Sequence, residues 1–375
     1  MTGLTRFFSF WRTTTTRDRE IVDAVVRPEH QQPSSELRAA LAQWPGVHYW
    51  VSNDGARRLV LVRATAPPQR ERWWLHVALF ALTFVTVWMG GALIAGVPPV
   101  SPFARSLGDA WPAFVGWVRA MRPGLEFAWG LMAILLAHET GHYVVARRYA
   151  INVSPPYFLP APPFWNFVGT FGAFIRLRSP VVDRRQLLDV GAAGPWAGFV
   201  VAILILSVGL TLSNPVSGLG TTSPQLILIH NQPLFLGDSL FMAAARALFA
   251  DGQTIALHPL AFAGWLGLLV TALNLLPLGQ LDGGHVLYGL VGSWQSSLGR
   301  ITWLSLLVLG YWFWGWWLWA VLTLLLGRGR LAHPSVLDRQ RPVPLSRQPL
   351  GWTTVLLFVV TFTPVPFPGA VLRLF

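Results

Sequence analysis

The chain has 375 residues, 53% hydrophobic and 12% charged, against a charged share of about 25% in soluble domains, which excludes an ordinary soluble globule. Its formal net charge of +12 rests on arginine without a single lysine, and cysteine is absent, so disulfides and thiolate metal ligands are excluded. No basic helix or aromatic-basic face accompanies the arginines; they point to lipid headgroups and the positive side of a bilayer, not to nucleic acid.

Residues 1–72 are polar with scattered apolar positions. Ser35 to Trp44 reads as a short helix, and Val47 to Val62 as a β-hairpin turning at Asn53-Asp54-Gly55. Together they predict a small N-terminal α+β cytosolic module, linked onward through Pro67-Pro68. No apolar stretch of signal-peptide type occurs there, so the first membrane span is expected to act as the insertion signal.

Trp73 to Val97 is long enough to cross about 30 Å of hydrocarbon. Leu125 to Ala146 is the second expected span, and Arg147-Arg148 at its end mark the positive side. Pro155, Pro156, Pro160, Pro162 and Pro163 then forbid a regular helix. Gly169 to Arg176 reads as an extended strand or hairpin, either in a re-entrant loop or in a plain cytosolic loop. Asp189 to Leu212 is a third span, with Gly191, Gly194 and Gly198 as a small-residue packing face. Residues 213–258 read as a mixed outer loop. Leu260 to Leu276 enters the membrane again and breaks near Pro277. Ile301 to Leu326, dense in tryptophan, and Gly351 to Leu372 complete the set.

The fold class is thus a polytopic α-helical membrane protein of about six transmembrane helices, with a re-entrant loop or β-hairpin beside the site. Its expected divisions are 1–72, a membrane core 73–326, and a basic loop with a last span, 327–375. One conflict stays in the count. With the N-terminus inside, the span from Ile301 delivers the arginine-rich segment Arg328 to Arg347 to the wrong side. Either one apolar segment is re-entrant or that segment breaks the charge bias.

The chemistry sits in the second span. His138-Glu139-Thr140-Gly141-His142 places two imidazoles one helical turn apart, able to hold one zinc, with a glutamate between them to move a proton. Ionisable groups at membrane depth are costly and therefore point to function. A third ligand is offered by Asp282, the sole acidic residue between Leu257 and Leu331. By itself such an aspartate also suits a cation path in a transporter. Asn274 suits a catalytic or substrate role and equally a helix-packing hydrogen bond. His285 reads as a helix-end histidine, His230, His258 and His333 as solvated loop residues, and Glu126 as a helix N-terminal charge.

His138-Glu139-Thr140-Gly141-His142 followed by Asn274-Leu-Leu-Pro277-Leu-Gly-Gln-Leu-Asp282-Gly283 resembles the site-2 protease family of intramembrane zinc metalloproteases, over roughly residues 73–295. The resemblance implies one Zn2+ per chain on His138, His142 and Asp282, and Glu139 as general base and later proton donor. It implies Asn274 at the substrate backbone or oxyanion. Gly169, Thr170, Phe171 and Gly172 would form a strand that pairs with an unwound substrate. It implies a PDZ-lacking member that cleaves transmembrane segments of membrane-protein substrates, releasing fragments by regulated intramembrane proteolysis. The partners are then such a substrate and the lipid bilayer, with no signal for an oligomeric state. The lysine-free, Arg-, Pro- and Trp-rich composition suggests a GC-rich prokaryotic source, and hence an integral protein of the cytoplasmic (inner) membrane with its N-terminus cytosolic. The rival readings are a divalent-cation transporter and a non-catalytic membrane scaffold of the same fold.

Overall fold

The computed structural model describes residues 3–15, 19–30, 32, 34–53, 56–64, 71–97, 110–149, 151–162, 166, 168–178, 181, 183–216, 225–229, 232–249, 254–334, 336 and 341–368. The expected tip Asp54-Gly55 and His230 lie outside these residues.

At the N-terminus, β1 (Phe8–Thr15), β2 (Arg19–Val26), α1 (Ser35–Ala42), β3 (Gly46–Asn53) and β4 (Ala56–Ala64) form an antiparallel sheet, order β1-β2-β4-β3, with one helix. The Ser34 hydroxyl accepts from the Leu37 N–H at 3.2 Å and starts α1. Alternation turns Val22, Ala24, Leu59 and Leu61 toward Leu37 and Leu41 of α1. The helix and the β3–β4 hairpin follow the expectation. β1 and β2 were not expected, because charges interrupt β2; Asp23 and Glu20 find Arg58 and Arg63 of β4 only once the strands pair.

The membrane part begins with α2 (Trp73–Ile94), α3 (Ala110–Ala120) and α4 (Arg122–Arg148). α3 and α4 meet at a bend of 53°. Pro123 opens α4 and Arg147-Arg148 close it, as the helix dipole favours. Next come β5 (Tyr157–Pro160) and β6 (Thr170–Phe174), paired antiparallel, and α5 (Arg184–Thr211), which Asp183 caps through the Gln186 N–H at 2.8 Å. The expected mixed loop holds β7 (Asn214–Pro215), β8 (Gln225–Ile229), β9 (Gln232–Leu236), α6 (Leu240–Phe249) and β10 (Ile255–Ala256). These strands form a small sheet of order β7-β10-β8-β9. α7 (Pro259–Asn274), α8 (Asp282–Val291), α9 (Gln295–Leu309), α10 (Gly315–Leu326) and α11 (Gln348–Thr361) complete the chain.

Among the described residues, α2 and α5 are each long and apolar enough to cross a membrane, and α3 with α4 makes a third as one bent unit. The core lies where α4, α5 and α7 meet, around Leu131, Ile134, Leu206, Phe262 and Leu268. The stretch Ile301 to Leu326 departs from expectation: it is a helical hairpin, not one span. Trp303 Nε1 donates to the Ala320 carbonyl at 2.9 Å and Trp317 Nε1 to the Leu307 carbonyl at 2.9 Å, so α9 and α10 run antiparallel. Gly310 makes the turn possible, since a Cβ there would strike the Trp317 ring. The hairpin returns the chain to its start, where Gln295 Nε2 meets the Leu331 carbonyl at 3.3 Å. Of the two resolutions open to the topology conflict, the re-entrant segment is the one found, and Arg328 onward lies on the side from which α9 departs.

Candidate metal centre

α4 carries His138, Glu139 and His142, all buried. Their spacing turns both imidazoles to one face, with ring centroids 4.8 Å apart. The facing surface of α5 is hollowed by glycine. A Cβ on Gly194 would run into the His142 ring, and one on Gly198 would lie 3.1 Å from His138 Cβ and 3.2 Å from its Nδ1. The glycine face read from the sequence as helix packing therefore also makes room for the rings.

His142 is oriented from α5. Its Nδ1 lies 2.7 Å from the Val190 carbonyl oxygen. A carbonyl only accepts, so Nδ1 carries the proton and Nε2 keeps its lone pair. Asp282 arrives at the first position of α8, after Pro277 and Gly279 (φ 48°) end α7 and turn the chain. Gly283 and Gly284 were expected to allow close approach to the metal helix. They serve the turn instead: a Cβ on Gly283 would collide with the Leu275 carbonyl, and one on Gly284 with that of Gly279.

Three atoms converge. His138 Nε2 and His142 Nε2 are 3.1 Å apart, and each is 3.2 Å from Asp282 Oδ2. Tetrahedral zinc with bonds of about 2.0–2.1 Å separates its ligand atoms by about 3.3 Å, so the triangle matches. A lone pair on His142 Nε2 and a carboxylate oxygen are both acceptors, and a cation between them satisfies both. Among the described residues these three are the one group of metal-capable side chains so placed.

The other expected residues divide. Asn274 closes α7 with Nδ2 3.4 Å from His138 Nε2, at the rim of the triangle. Gly169 (φ 82°) and Gly172 (φ 98°) flank a strand that only glycine could shape at those points. Phe171 is exposed, whereas Thr170 is buried and donates to the Leu159 carbonyl at 2.8 Å, so its hydroxyl serves the hairpin. His285 does not reach the ligand set; its Nδ1 is 2.8 Å from His333 Nε2. His333 is thus not a free loop residue, and a cavity of about 460 Å³ adjoins it rather than the triangle. His258 is not free either: its Nδ1 accepts from the Leu260 N–H at 3.3 Å, and its Nε2 lies 3.4 Å from Glu126. Two participants went unforeseen, the Val190 carbonyl and the backbone of Ile175, which hydrogen-bonds the Glu139 carboxyl. Backbone groups leave no mark in a sequence; the glycine spacing on α5 was the available signal.

Apolar helices that bring two histidines of one segment and a carboxylate of another onto one point define a membrane-embedded metalloprotease type of site. Residues 126–308 match the model of peptidase family M50, and this part of the chain belongs to that family. The chain is 34% identical to the probable zinc metalloprotease EGY1 of rice (japonica), over 267 residues, 67% of this chain and 44% of that protein. It is 36% identical to EGY1 of Arabidopsis thaliana over 172 residues, 45% and 30% of the two chains. To EGY2 of rice (indica) it is 32% identical over 334 residues, 84% and 55%. The chain thus spans about half the length, or less, of the curated relatives it matches. No solved structure matches. All three relatives are named chloroplastic. They overturn the expectation of a prokaryotic cytoplasmic membrane, which rested on residue usage, a property of genome composition and not of location.

Proposed function

We propose that the chain is an intramembrane zinc metalloendopeptidase that cleaves membrane proteins within or beside a transmembrane segment. The observation that carries this reading is the triangle of His138, His142 and Asp282 with Glu139 beside it on the same helix turn. His138, His142 and Asp282 hold the metal. Zinc, when bound, supplies Lewis-acid polarisation of a carbonyl and a water acidified toward pH about 7. Glu139 takes up the proton and later hands it to the leaving amine. The Ile175 backbone fixes the Glu139 carboxyl, and Asn274 stands where a substrate carbonyl is reached.

The substrate is an extended peptide. Helical peptide bonds have their main-chain groups engaged, so a membrane segment unwinds before it is cut. β6 has one edge on β5, and its other edge offers main-chain groups to a third strand. Gly169, Thr170, Phe171 and Gly172 form that edge. The division into an N-terminal module, a core and a C-terminal part, and the crossing of the bilayer by more helices than α2, α4 and α5, belong to this reading. So does the release of a fragment by regulated proteolysis.

The test uses full-length protein in detergent. Glu139→Gln is expected to keep its zinc and lose cleavage of a single-span peptide by at least about a thousandfold. Asp282→Ala is expected to lose most of its zinc. Cleavage by Glu139→Gln at the wild-type rate, or equal zinc in Asp282→Ala, would overturn the assignment.

A further inference from the structure

The β5–β6 hairpin borders the site without being part of the helix bundle, and a two-stranded ribbon is marginal on its own. Its support comes from α2. Arg178, just beyond β6, is held by its own backbone, whose N–H donates to the Asn152 carbonyl at 2.8 Å. Its guanidinium grips the Glu71 carboxylate with two prongs, Nη2 to Oε2 at 3.0 Å and Nη1 to Oε1. Glu71 stands two residues before α2. His76, buried in the first turn of α2, has Nδ1 3.0 Å from the Pro156 carbonyl and its ring 4.3 Å from that of Tyr157. Tyr157 opens β5 and stacks on Phe174, the last residue of β6, at 5.4 Å.

Further along α2 the contacts continue. Phe80 meets Phe158 edge to face at 5.0 Å. Thr86 Oγ1 donates to the Gly169 carbonyl at 2.7 Å. From His76 to Thr86 is ten residues, about 15 Å of helix, and a four-residue strand spans about 13 Å. α2 therefore lies along β5 as a splint, fastened by polar groups at both ends and by apolar contact between. The opposite strand, β6, runs on into Ile175 and its bond to Glu139.

We propose that Glu71, Arg178 and His76 form a positioning latch that sets the register of the substrate-pairing edge of β6 against the metal ligands. This rests on the protease reading above. The latch touches neither the ligand atoms nor the reacting peptide. It acts by denying β6 the slack to slide or tilt when a third strand pulls on it. A loosened edge weakens pairing and admits substrate in shifted registers, since a strand slips by whole residues.

The experiment uses full-length protein in detergent and a synthetic single-span peptide, alanine- and leucine-rich with a central Gly-Ser-Gly and lysine flanks. Products are read by mass spectrometry. Glu71→Ala and Arg178→Ala are each expected to raise KM about tenfold with kcat within about threefold, the scale of one charge-assisted pair. Zinc content stays at the wild-type level, and new cuts appear one or two residues from the wild-type bond. The double variant is no worse than either single, because both remove one interaction, and Arg178→Lys recovers part of the KM. Unchanged KM with a single cut, multiplying losses in the double variant, or loss of zinc in the singles overturns the latch. Should wild type leave the peptide intact, the protease reading fails instead. The latch is then decided by amide exchange: residues 170–174 exchange faster in both singles if it holds, and at the wild-type rate if it does not.

Discussion

The metal triangle and the β5–β6 hairpin lie side by side yet are held by different means. The triangle is placed by whole helices: α4 against α5, and the turn before α8 against its own first residues, each contact made possible by a missing Cβ at Gly194, Gly198, Gly283 or Gly284. The hairpin is placed by a few side-chain bonds to α2 at Glu71, His76 and Thr86. Helix packing is stiff because interiors are close-packed. Side-chain latches are graded, and each can be removed alone. The difference teaches that ligand geometry fails steeply on small steric changes, while the strand yields by degrees.

The largest expected effect probes the stiff region. In Gly194→Ala the new methyl occupies the place of the His142 ring. The ring has no retreat, since its Nδ1 is bound to Val190 on the same helix. Zinc content of the purified variant is expected to fall below about a tenth of wild type, on the scale of an imidazole forced from its ligand position. Gly198→Ala is milder: its methyl sits 3.1 Å from His138 Cβ, a clash that a shift of a few tenths of an ångström relieves. Its zinc affinity is expected to drop severalfold. Wild-type zinc in Gly194→Ala would break the comparison at its rigid end.

This contrast also explains what the sequence disclosed. His138, His142 and Asp282 were legible because ionisable groups stand out against apolar helices, and the spacing of four survives folding unchanged. The β6 strand was legible from its prolines and glycines. The α9–α10 hairpin was not, because Gly310 is one small residue within an otherwise continuous apolar run, and what turns the chain there is the Trp317 ring arriving from beyond the bend. The sheet partners β1 and β2 were hidden for a similar reason: Asp23 and Glu20 look like loop charges until Arg58 and Arg63 come alongside. His285 with His333, and the latch at Glu71 and Arg178, join residues far apart in sequence, and a single chain carries no signal of such pairing.

Intermediate effects are expected where the hairpin meets α2 most closely. Gly169 has φ 82°, and a Cβ there would collide with the Thr86 carbonyl. Gly169→Ala is therefore strained in its backbone and crowded in space. We expect about a tenfold or larger loss of peptide cleavage with zinc retained, since the ligands lie on other elements. Thr86→Val keeps the shape and removes only the bond to the Gly169 carbonyl. Its loss is expected to be about threefold, the scale of one neutral hydrogen bond. If both variants lose zinc together with activity, the hairpin and the triangle form a single unit and the distinction drawn above is wrong.

The smallest effect is a pH dependence confined to the hairpin. Arg178 beside Glu71 holds its carboxyl below the ordinary value of 4.5; partial burial opposes this, and His76 and Arg147 add to it. A carboxyl whose folded pKa lies below its unfolded one binds more protons unfolded, so stability rises with pH through that interval. The contribution of the Glu71–Arg178 pair is then complete above about pH 4.5 and is lost as pH falls through the depressed folded value. His76 gains charge as pH drops, and Arg147 and Arg178 stay charged, so Glu71 is the member that disconnects. Amide exchange across residues 170–174, corrected for the intrinsic rate, is expected to speed up in wild type as pH falls below about 4.5. In Glu71→Gln it is expected to be faster at neutral pH and flat across the same interval. Because the pair is partly open to solvent, salt at 1 M, where the screening length is about 3 Å, should move wild type part of the way toward the variant. A wild-type profile as flat as that of Glu71→Gln would mean that the apolar seam of Phe80 and Phe158 alone fixes the strand, and that the ion pair at its end merely accompanies it.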